Sequence, residues 1–192
     1  ANGLVLSNML LNRIRTRTFK GTGQTSSLAY HYSGNTIWPV SVSRSFGEGP
    51  QTTLFTLDRY DERGNLLQST DPNGISTTYL WGYGGTRLVA EIRNAAYQQV
   101  ANVLGQARID AMTDRITLSE SDIAALEGLR SAVALGDTQI TTYTHHPIFG
   151  VTSRTDPRGV RTSYLYDETG RIKEIADDAG NPVVAYDYKY RK

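Results

Sequence analysis

Five aspartates are the side chains in this sequence that most resemble catalytic groups. Paired carboxylates can act as general acid and general base in hydrolases. The spacing of these aspartates therefore indicates whether they are catalytic residues or residues that form turns. A glycine follows each of them three residues later. The pairs are Asp61 and Gly64, Asp71 and Gly74, Asp156 and Gly159, Asp167 and Gly170, and Asp177 and Gly180. Asp-x-x-Gly suits a tight turn, because Asp accepts bonds from the backbone just after it and glycine adopts a positive φ. We interpret all five as repeated turns and not as catalytic residues.

Aromatic side chains recur at every second position in two stretches of the chain. The first set is Tyr79, Trp81 and Tyr83, and the second is Tyr186, Tyr188 and Tyr190. Rings on one strand face can bind sugars, because a ring face contacts the C–H groups while sugar hydroxyls are bound at the rim. The alternative is cross-strand packing, which contributes about 0.2–1 kcal/mol per pair. We favour packing, because the aromatics recur with the turns, and keep a carbohydrate platform as the alternative.

Three arginine side chains form a third candidate site near the start of the chain. Arg13, Arg15 and Arg17 alternate, so a strand would place them on one face, where they could hold a phosphate or an acidic polysaccharide. The alternative is a solvated face that discourages association between sheet edges, and we favour it.

Histidine and cysteine give no metal or redox site. His145 and His146 are adjacent, so on a strand they point to opposite faces and cannot bind one metal together, and no spacing links either to His31. The chain has no Cys, which excludes disulfides, thiolate catalysis and Cys-based zinc sites. Gly21-x-Gly23 lacks the third glycine of a nucleotide-binding loop, and no Gly-x-Ser-x-Gly motif occurs. The sequence therefore predicts no catalytic residue, no cofactor and no metal.

The residues between the turns alternate with a period of two, which is typical of β-strands. Strands are predicted at 4–11, 12–20, 27–32, 39–44, 53–60, 66–70, 76–81 and 88–93, and again from 139 to the end. For residues 4–11 a short helix that starts after Ser7 is the alternative, and we favour the strand. A flexible turn is predicted at 21–26. The predicted fold is mainly β: an antiparallel curved sheet or partial β-shell of hairpins with an inserted helical segment at about 94–136.

The inserted segment is predicted from a change to helical periodicity. Tyr97, Val100, Val103 and Leu104 form one apolar stripe, with Asn94 as its N-cap and Gly105 as its end. A short helical turn is expected at 107–112. A second stripe, at Ile123, Leu126, Arg130 and Val133, follows the capping-box pattern Ser119-x-x-Asp122 and ends at Gly136. Such short helices need docking, so we expect Leu126 and Val133 to be buried.

Length and composition fit one structural unit cut from a larger protein. We predict a β-hairpin region at 1–93, a helical insertion at 94–138 and further hairpins at 139–192. The chain has 192 residues, begins at Ala1 without Met, and carries a net charge of +1. That charge gives no indication of nucleic acid, and no apolar run reaches the length of a membrane span.

Two motifs occur twice and resemble the YD-repeat (Rhs) family. Residues 60–66 and 166–172 both read Tyr-Asp-Glu-x-Gly followed by a polar and an apolar residue. Residues 71–75 and 156–160 both read Asp-Pro-x-Gly with Ile or Val, and each precedes Tyr-Leu-Trp or Tyr-Leu-Tyr. The resemblance covers roughly residues 54–190 and is weak in the first fifty. Residues 79–92, with the helical stretch and residues 141–144, look like the C-terminal parts of such proteins from Bacteroidetes.

This resemblance implies a structural function. Relatives are large bacterial secreted or surface proteins whose hollow β-shells enclose or display a toxic C-terminal domain, so we expect a non-enzymatic shell section at that location. Its expected partners are flanking repeats of the same parent protein or other protein chains. The alternative is a carbohydrate-binding or adhesion module. Relatives that cleave themselves carry a second Asp-Gly after Asp-Pro-x-Gly, which Val160-Arg161-Thr162 does not supply, so self-cleavage is not expected.

Overall fold

The computed structural model describes residues 14–33 and 36–189. The chain forms two compact units that divide after Thr77. In each unit the strands are antiparallel and follow one another in chain order. Within the described ranges, the helices occur together in one insertion between two strands of the second unit. The predicted mainly β antiparallel class with an inserted helical segment is therefore confirmed. Among the described residues, no helix is long and apolar enough to cross a lipid bilayer.

The first unit is built from paired strands with small buried side chains. Its strands are β1 (Arg15–Lys20), β2 (Gly23–Tyr32), β3 (Pro39–Phe46), β4 (Thr52–Tyr60) and β5 (Leu66–Thr70), and β6 (Ser76–Gly82) begins at its end. Buried residues among those described here are Ser27, Ala29, Ser43, Ser45 and Ser69. The hydroxyls of Ser27 and Ser45, which face each other across β2 and β3, lie 2.9 Å apart. The described interior of this unit is therefore largely hydrogen-bonded.

The second unit contains the apolar core of the described chain. It comprises most of β6, then β7 (Arg87–Arg93), the helical insertion, β8 (Gln139–His146), β9 (Gly150–Thr155), β10 (Arg161–Tyr166), β11 (Ile172–Ala176) and β12 (Pro182–Ala185). Leu80, Val89 and Ile92 on β6 and β7 are fully buried, as are Val100 and Met112 from the insertion. Burial of such side chains stabilises the fold by about 1.5–3 kcal/mol each.

The insertion consists of three short helices and two 3₁₀ turns. These are α1 (Tyr97–Leu104), α2 (Gln106–Asp114), α3 (Glu120–Gly128) and the turns Leu129–Ser131 and Val133–Leu135. Gly105 separates α1 from α2 with a φ of 84°, so the predicted stop is confirmed. The capping box is confirmed too: Ser119 Oγ accepts from the Asp122 N–H at 3.2 Å, and Asp122 Oδ2 accepts from the Ser119 N–H at 3.0 Å.

Several local predictions were wrong. Asn94 is not the N-cap, because α1 starts at Tyr97 and Asn94, at φ 66°, donates its side-chain amide to the Asp137 carbonyl at 3.1 Å. Residues 107–112 belong to a complete helix and not to a short turn. Val133 is 98% exposed, because 3₁₀ turns replace the second half of the predicted helix. The turn at 21–26 is shorter than predicted, since β2 already begins at Gly23. The strand predicted at 4–11 lies outside the described residues.

Candidate functional site

The five Asp-x-x-Gly segments form one repeated turn geometry. In each, the Asp Oδ1 atom accepts from the backbone N–H two residues later at 2.9–3.0 Å and four residues later at 2.7–3.0 Å. The glycine N–H donates to the Asp carbonyl at 2.9–3.1 Å, and the Asp N–H donates to the carbonyl four residues later. All five glycines have φ between 80° and 87°, as predicted for Gly64, Gly74, Gly159 and Gly170.

Each turn also fixes the register of the strands that it connects. The residue before the Asp pairs with the residue six positions later in four of the turns: Tyr60 with Leu66, Thr155 with Arg161, Tyr166 with Ile172, and Ala176 with Pro182. The loop is therefore a five-residue unit that is closed by hydrogen bonds of its own Asp, Gly and backbone. Register is set locally, by the turn.

Hydrogen bonding to these carboxylates opposes a role in proton transfer. The Thr169 hydroxyl and the Arg171 N–H hold the pKa of Asp167 well below its usual range. The Val160 N–H and Arg158 lower the pKa of Asp156, and the Asn181 backbone and side chain lower that of Asp177. A general acid at neutral pH needs the opposite shift. Asp156, Asp167 and Asp177 therefore stay ionised and bind their own turns.

Aromatic rings cover the glycine of both Tyr-Asp-x-x-Gly turns. In the first unit Trp38 stacks on Tyr60 with centroids 6.0 Å apart, and a Cβ added to Gly64 would lie 2.3 Å from the Trp38 ring. The Tyr60 hydroxyl donates to the Pro39 carbonyl at 2.8 Å, and burial, aided by Tyr32, raises the pKa of Tyr60 to about 12. The Tyr of the motif is therefore held inside the scaffold by both its ring and its hydroxyl.

The second unit repeats this arrangement with different residues. Phe149 lies 5.7 Å from the ring of Tyr166, and a Cβ on Gly170 would approach Phe149 to 2.8 Å. The Tyr166 hydroxyl donates to the Val151 carbonyl at 2.7 Å. The spacing of the motifs does not predict Trp38 or Phe149 as their partners. Trp38 lies just before β3, whereas the turn at Gly64 follows β4, and Phe149 lies just before β9, whereas the turn at Gly170 follows β10.

The predicted aromatic faces separate into three environments. Tyr79 and Trp81 alternate on β6 with buried Thr78 and Leu80, so they lie on the opposite, half-buried face, and both make contacts within the protein. Tyr83 does not continue that face: β6 ends at Gly82, and Tyr83 has a φ of 56°. Its hydroxyl accepts from the His145 N–H at 2.9 Å, and its ring meets His145 edge-on at 5.3 Å.

Tyr186 and Tyr188 come together, although not on a strand. β12 ends at Ala185, so the expectation of a strand through Tyr190 was wrong for residues 186–189, and Tyr190 lies outside the described residues. The two rings are 6.2 Å apart at 17°, and the residues are 46% and 40% exposed. The Tyr188 hydroxyl donates to the Ile172 carbonyl at 2.8 Å, and the Arg171 guanidinium lies 4.1 Å from the Tyr188 ring.

The arginines near the start of the chain are exposed. Arg15 and Arg17 stand on β1, all of whose residues are exposed, opposite Ala29 and Ser27 of β2. Because they are two residues apart on one strand, they share a face. Arg13 lies outside the described residues.

The histidines have structural contacts. The His145 Nε2 atom is 2.8 Å from the Leu88 carbonyl, and burial lowers the pKa of His145. The His146 ring stacks on Phe149 at 4.3 Å and accepts from two loop N–H groups, while His31 is bonded to Ser43 Oγ at 2.7 Å. Within residues 14–33 and 36–189, no three His, Asp or Glu side chains are grouped as a metal site would need.

Arg130 connects the helical insertion to the strands that follow it. Its NH1 group donates to the carbonyls of Ile140 at 2.6 Å and Asp156 at 2.9 Å, and its Nε donates to Glu127 Oε2 at 2.8 Å. Burial alone would raise the pKa of Glu127, but hydrogen bonds from Thr142 and Arg130 outweigh it and lower that pKa. The sequence places Arg130 in an apolar stripe and gives no signal of this role.

A protein-family model described as RHS Repeat matches the chain in two segments, residues 60–98 and 150–182. The first segment contains the turns at Asp61 and Asp71, and the second contains those at Asp156, Asp167 and Asp177. No curated protein sequence shows significant similarity to the chain.

Proposed function

We propose that the chain is a non-enzymatic, structural section of a secreted or cell-surface YD-repeat (Rhs) protein, whose β-shell encloses or displays a C-terminal domain such as a toxin. The observation that carries this proposal is the set of five turns with the same backbone hydrogen bonds, all of which lie in the two segments that match the repeat model. The Asp, Gly and Tyr residues that recur in these turns form their hydrogen bonds with the turns and strands of the protein itself.

The terminal strands of the described chain support a role as one section among others. β12 pairs with β11, and all four of its residues are exposed. β1 pairs with β2 and is exposed along its whole length. Such edges carry backbone groups that pair readily with another strand. Flanking repeats of the same parent protein, or other protein chains, are the partners that this chemistry fits.

A proline at the edge of β12 tests the proposal. The Tyr186 N–H donates to the Lys173 carbonyl on β11 at 2.9 Å, so the alternation of the strand directs the Ala185 N–H away from β11. Ala185→Pro therefore removes a donor from the free edge while the pairing with β11 remains. Ala185→Ser is the matched control, because it keeps the N–H.

Sedimentation velocity over a wide concentration range provides the measurement. We expect the wild-type chain and Ala185→Ser to associate as concentration rises, and Ala185→Pro to associate more weakly. Equal far-ultraviolet circular dichroism of the three proteins shows that the fold is retained. A wild-type chain that stays strictly monomeric contradicts the structural proposal.

A carbohydrate-binding or adhesion module is the second candidate. The observation that favours it is the near-parallel pair Tyr186 and Tyr188, each with a substantial exposed fraction. Glycan-array binding that disappears in Tyr186→Ala but persists in Tyr188→Phe, which keeps the second ring, would support it. An array without signal for the wild-type chain contradicts it.

A further inference from the structure

A cavity lies between α3 and the strands that follow the insertion. Its volume is about 210 Å³, and its walls are formed by α3, β8, β9, the turn at Gly159 and the residues beyond it. Pockets for drug-sized ligands measure about 300–1,000 Å³, and one water needs only about 10–15 Å³, so this cavity has room for a ligand of a single ring.

Hydroxyl groups line the strand side of this cavity in a regular grid. Thr142 and Thr144 on β8 are directly opposite Thr155 and Ser153 on β9. Residues opposite each other in antiparallel strands project to the same face, and so do residues two apart, which gives four hydroxyls on one surface. The Thr144 and Ser153 oxygens are 2.7 Å apart.

The helix side of the cavity is both apolar and charged. Ile123 and Leu126 supply hydrocarbon surface, and the Glu127 carboxylate is fixed by bonds from Thr142 and Arg130. Its pKa is lowered, so Glu127 is an acceptor at neutral pH. A carboxylate held in place accepts hydrogen bonds from a ligand without the cost of ordering its own side chain.

The opening of the cavity carries groups of both charges. Arg161 and Asp178 are exposed lining residues, and Asp178 Oδ1 accepts from the Arg161 backbone N–H at 3.2 Å. The guanidinium is a donor and the two carboxylates are acceptors. Arg130 is paired with Glu127, and Arg161 lines the cavity together with Asp178, so the two negative charges are balanced and the site favours neither an anion nor a cation.

From this arrangement we infer that the cavity is a binding site for a neutral, polyhydroxylated ligand of about one ring, a monosaccharide or the terminal residue of a glycan. Sugar hydroxyls donate to Glu127 and Asp178 and exchange hydrogen bonds with Thr144. The C–H face of the sugar lies against Ile123, which is half-buried. This site is separate from the Tyr186 and Tyr188 rings and does not depend on the structural function proposed above.

Saturation-transfer difference NMR of the full chain with a panel of neutral hexoses and pentoses tests the inference, followed by titration of the strongest binder. Thr144→Val removes a lining hydroxyl at constant shape, and Asp178→Asn removes an exposed charge without a core change. Each variant should weaken binding roughly five- to tenfold, as expected for the loss of one ligand hydrogen bond.

A control variant shows whether binding takes place in this cavity. Ser131→Ala removes an exposed hydroxyl in the same unit that does not line the cavity, and it should bind as the wild type does. If Thr144→Val lowers the melting temperature, its weaker binding could reflect a loss of structure. Ligand binding is then compared between the wild type and Asp178→Asn alone, because the Asp178 side chain is exposed. The inference is overturned by a panel without saturable binding, by equal binding of Asp178→Asn and wild type, or by binding lost in Tyr186→Ala alone.

Discussion

Replacing single turn glycines with alanine separates two effects on the stability of the hairpins: the backbone strain of a non-glycine residue at positive φ, and the clash of its Cβ with a neighbouring ring. Gly159, Gly170 and Gly180 have φ of 83°, 80° and 81°, so alanine meets the same backbone strain at each. Their surroundings differ. A Cβ on Gly159 or Gly180 has no neighbour within 4 Å, whereas a Cβ on Gly170 would lie 2.8 Å from Phe149.

The expected magnitudes follow from these two terms. A non-glycine residue in the left-handed conformation costs about 1–2 kcal/mol, which is the expected effect of Gly159→Ala and Gly180→Ala. Gly170→Ala must also displace Phe149 from between His146 and Tyr166, and overpacking of this kind adds about 1–3 kcal/mol. In the first unit, Gly64→Ala should likewise cost more than Gly74→Ala, because Trp38 covers Gly64 and nothing covers Gly74.

Urea unfolding followed by circular dichroism measures these differences, with each comparison made inside one unit. Phe149→Ala provides the internal check, because it removes the ring that the new Cβ would strike. In a double-mutant cycle, Phe149→Ala should therefore cost less in the Gly170→Ala background than in the wild type. Equal free energies of unfolding for Gly159→Ala and Gly170→Ala would refute the role assigned to Phe149.

Three further predictions concern the second unit. Arg130→Met should lower the free energy of unfolding by about 2–3 kcal/mol, below the 3–5 kcal/mol of a fully buried pair, whereas Arg158→Met at an exposed pair should cost less than about 1 kcal/mol. Leu126→Ala should cost about 2–5 kcal/mol and Val133→Ala less than about 0.5 kcal/mol, because only Leu126 is buried; chemical denaturation measures all four, and the reverse order would contradict the assigned contacts. The stability contributed by Asp167 should be complete above its unfolded pKa of about 3.9 and decrease as the pH falls below it, because the pKa is lowered in the folded state. Thermal melts of Asp167→Asn should show a smaller loss between neutral pH and acid than the wild type, and parallel curves would exclude this contribution.

The parts of the fold that depend on neighbouring residues could be predicted from the sequence. β5 matches its predicted limits, because Asp61-x-x-Gly64 and Asp71-x-x-Gly74 bound it on both sides with turns that need only their own residues. Ser119 and Asp122 are equally local, since a capping box is complete within four residues. The positive φ of the turn glycines follows from the same short-range chemistry.

Contacts between distant residues could not be predicted. Asn94 has the composition of an N-cap, but its side chain binds the Asp137 carbonyl across the base of the insertion. Val133 fits a helical stripe, but the helix ends at Gly128 and 3₁₀ turns change the direction of the side chains. Phe149 and Arg130 act on turns that are distant in the sequence, and neither periodicity nor spacing indicates such a pairing.

The self-contained turns also affect how a gene for such a chain can change. Asp156 and Asp177 open equivalent loops 21 residues apart, and the hydrogen bonds that close each loop involve no residue of the other. Duplication or deletion of the segment between two such aspartates by unequal recombination would leave intact turns at both junctions. The encoded sheet could then gain or lose pairs of strands in one genetic event. Its length would evolve separately from the side chains on its faces.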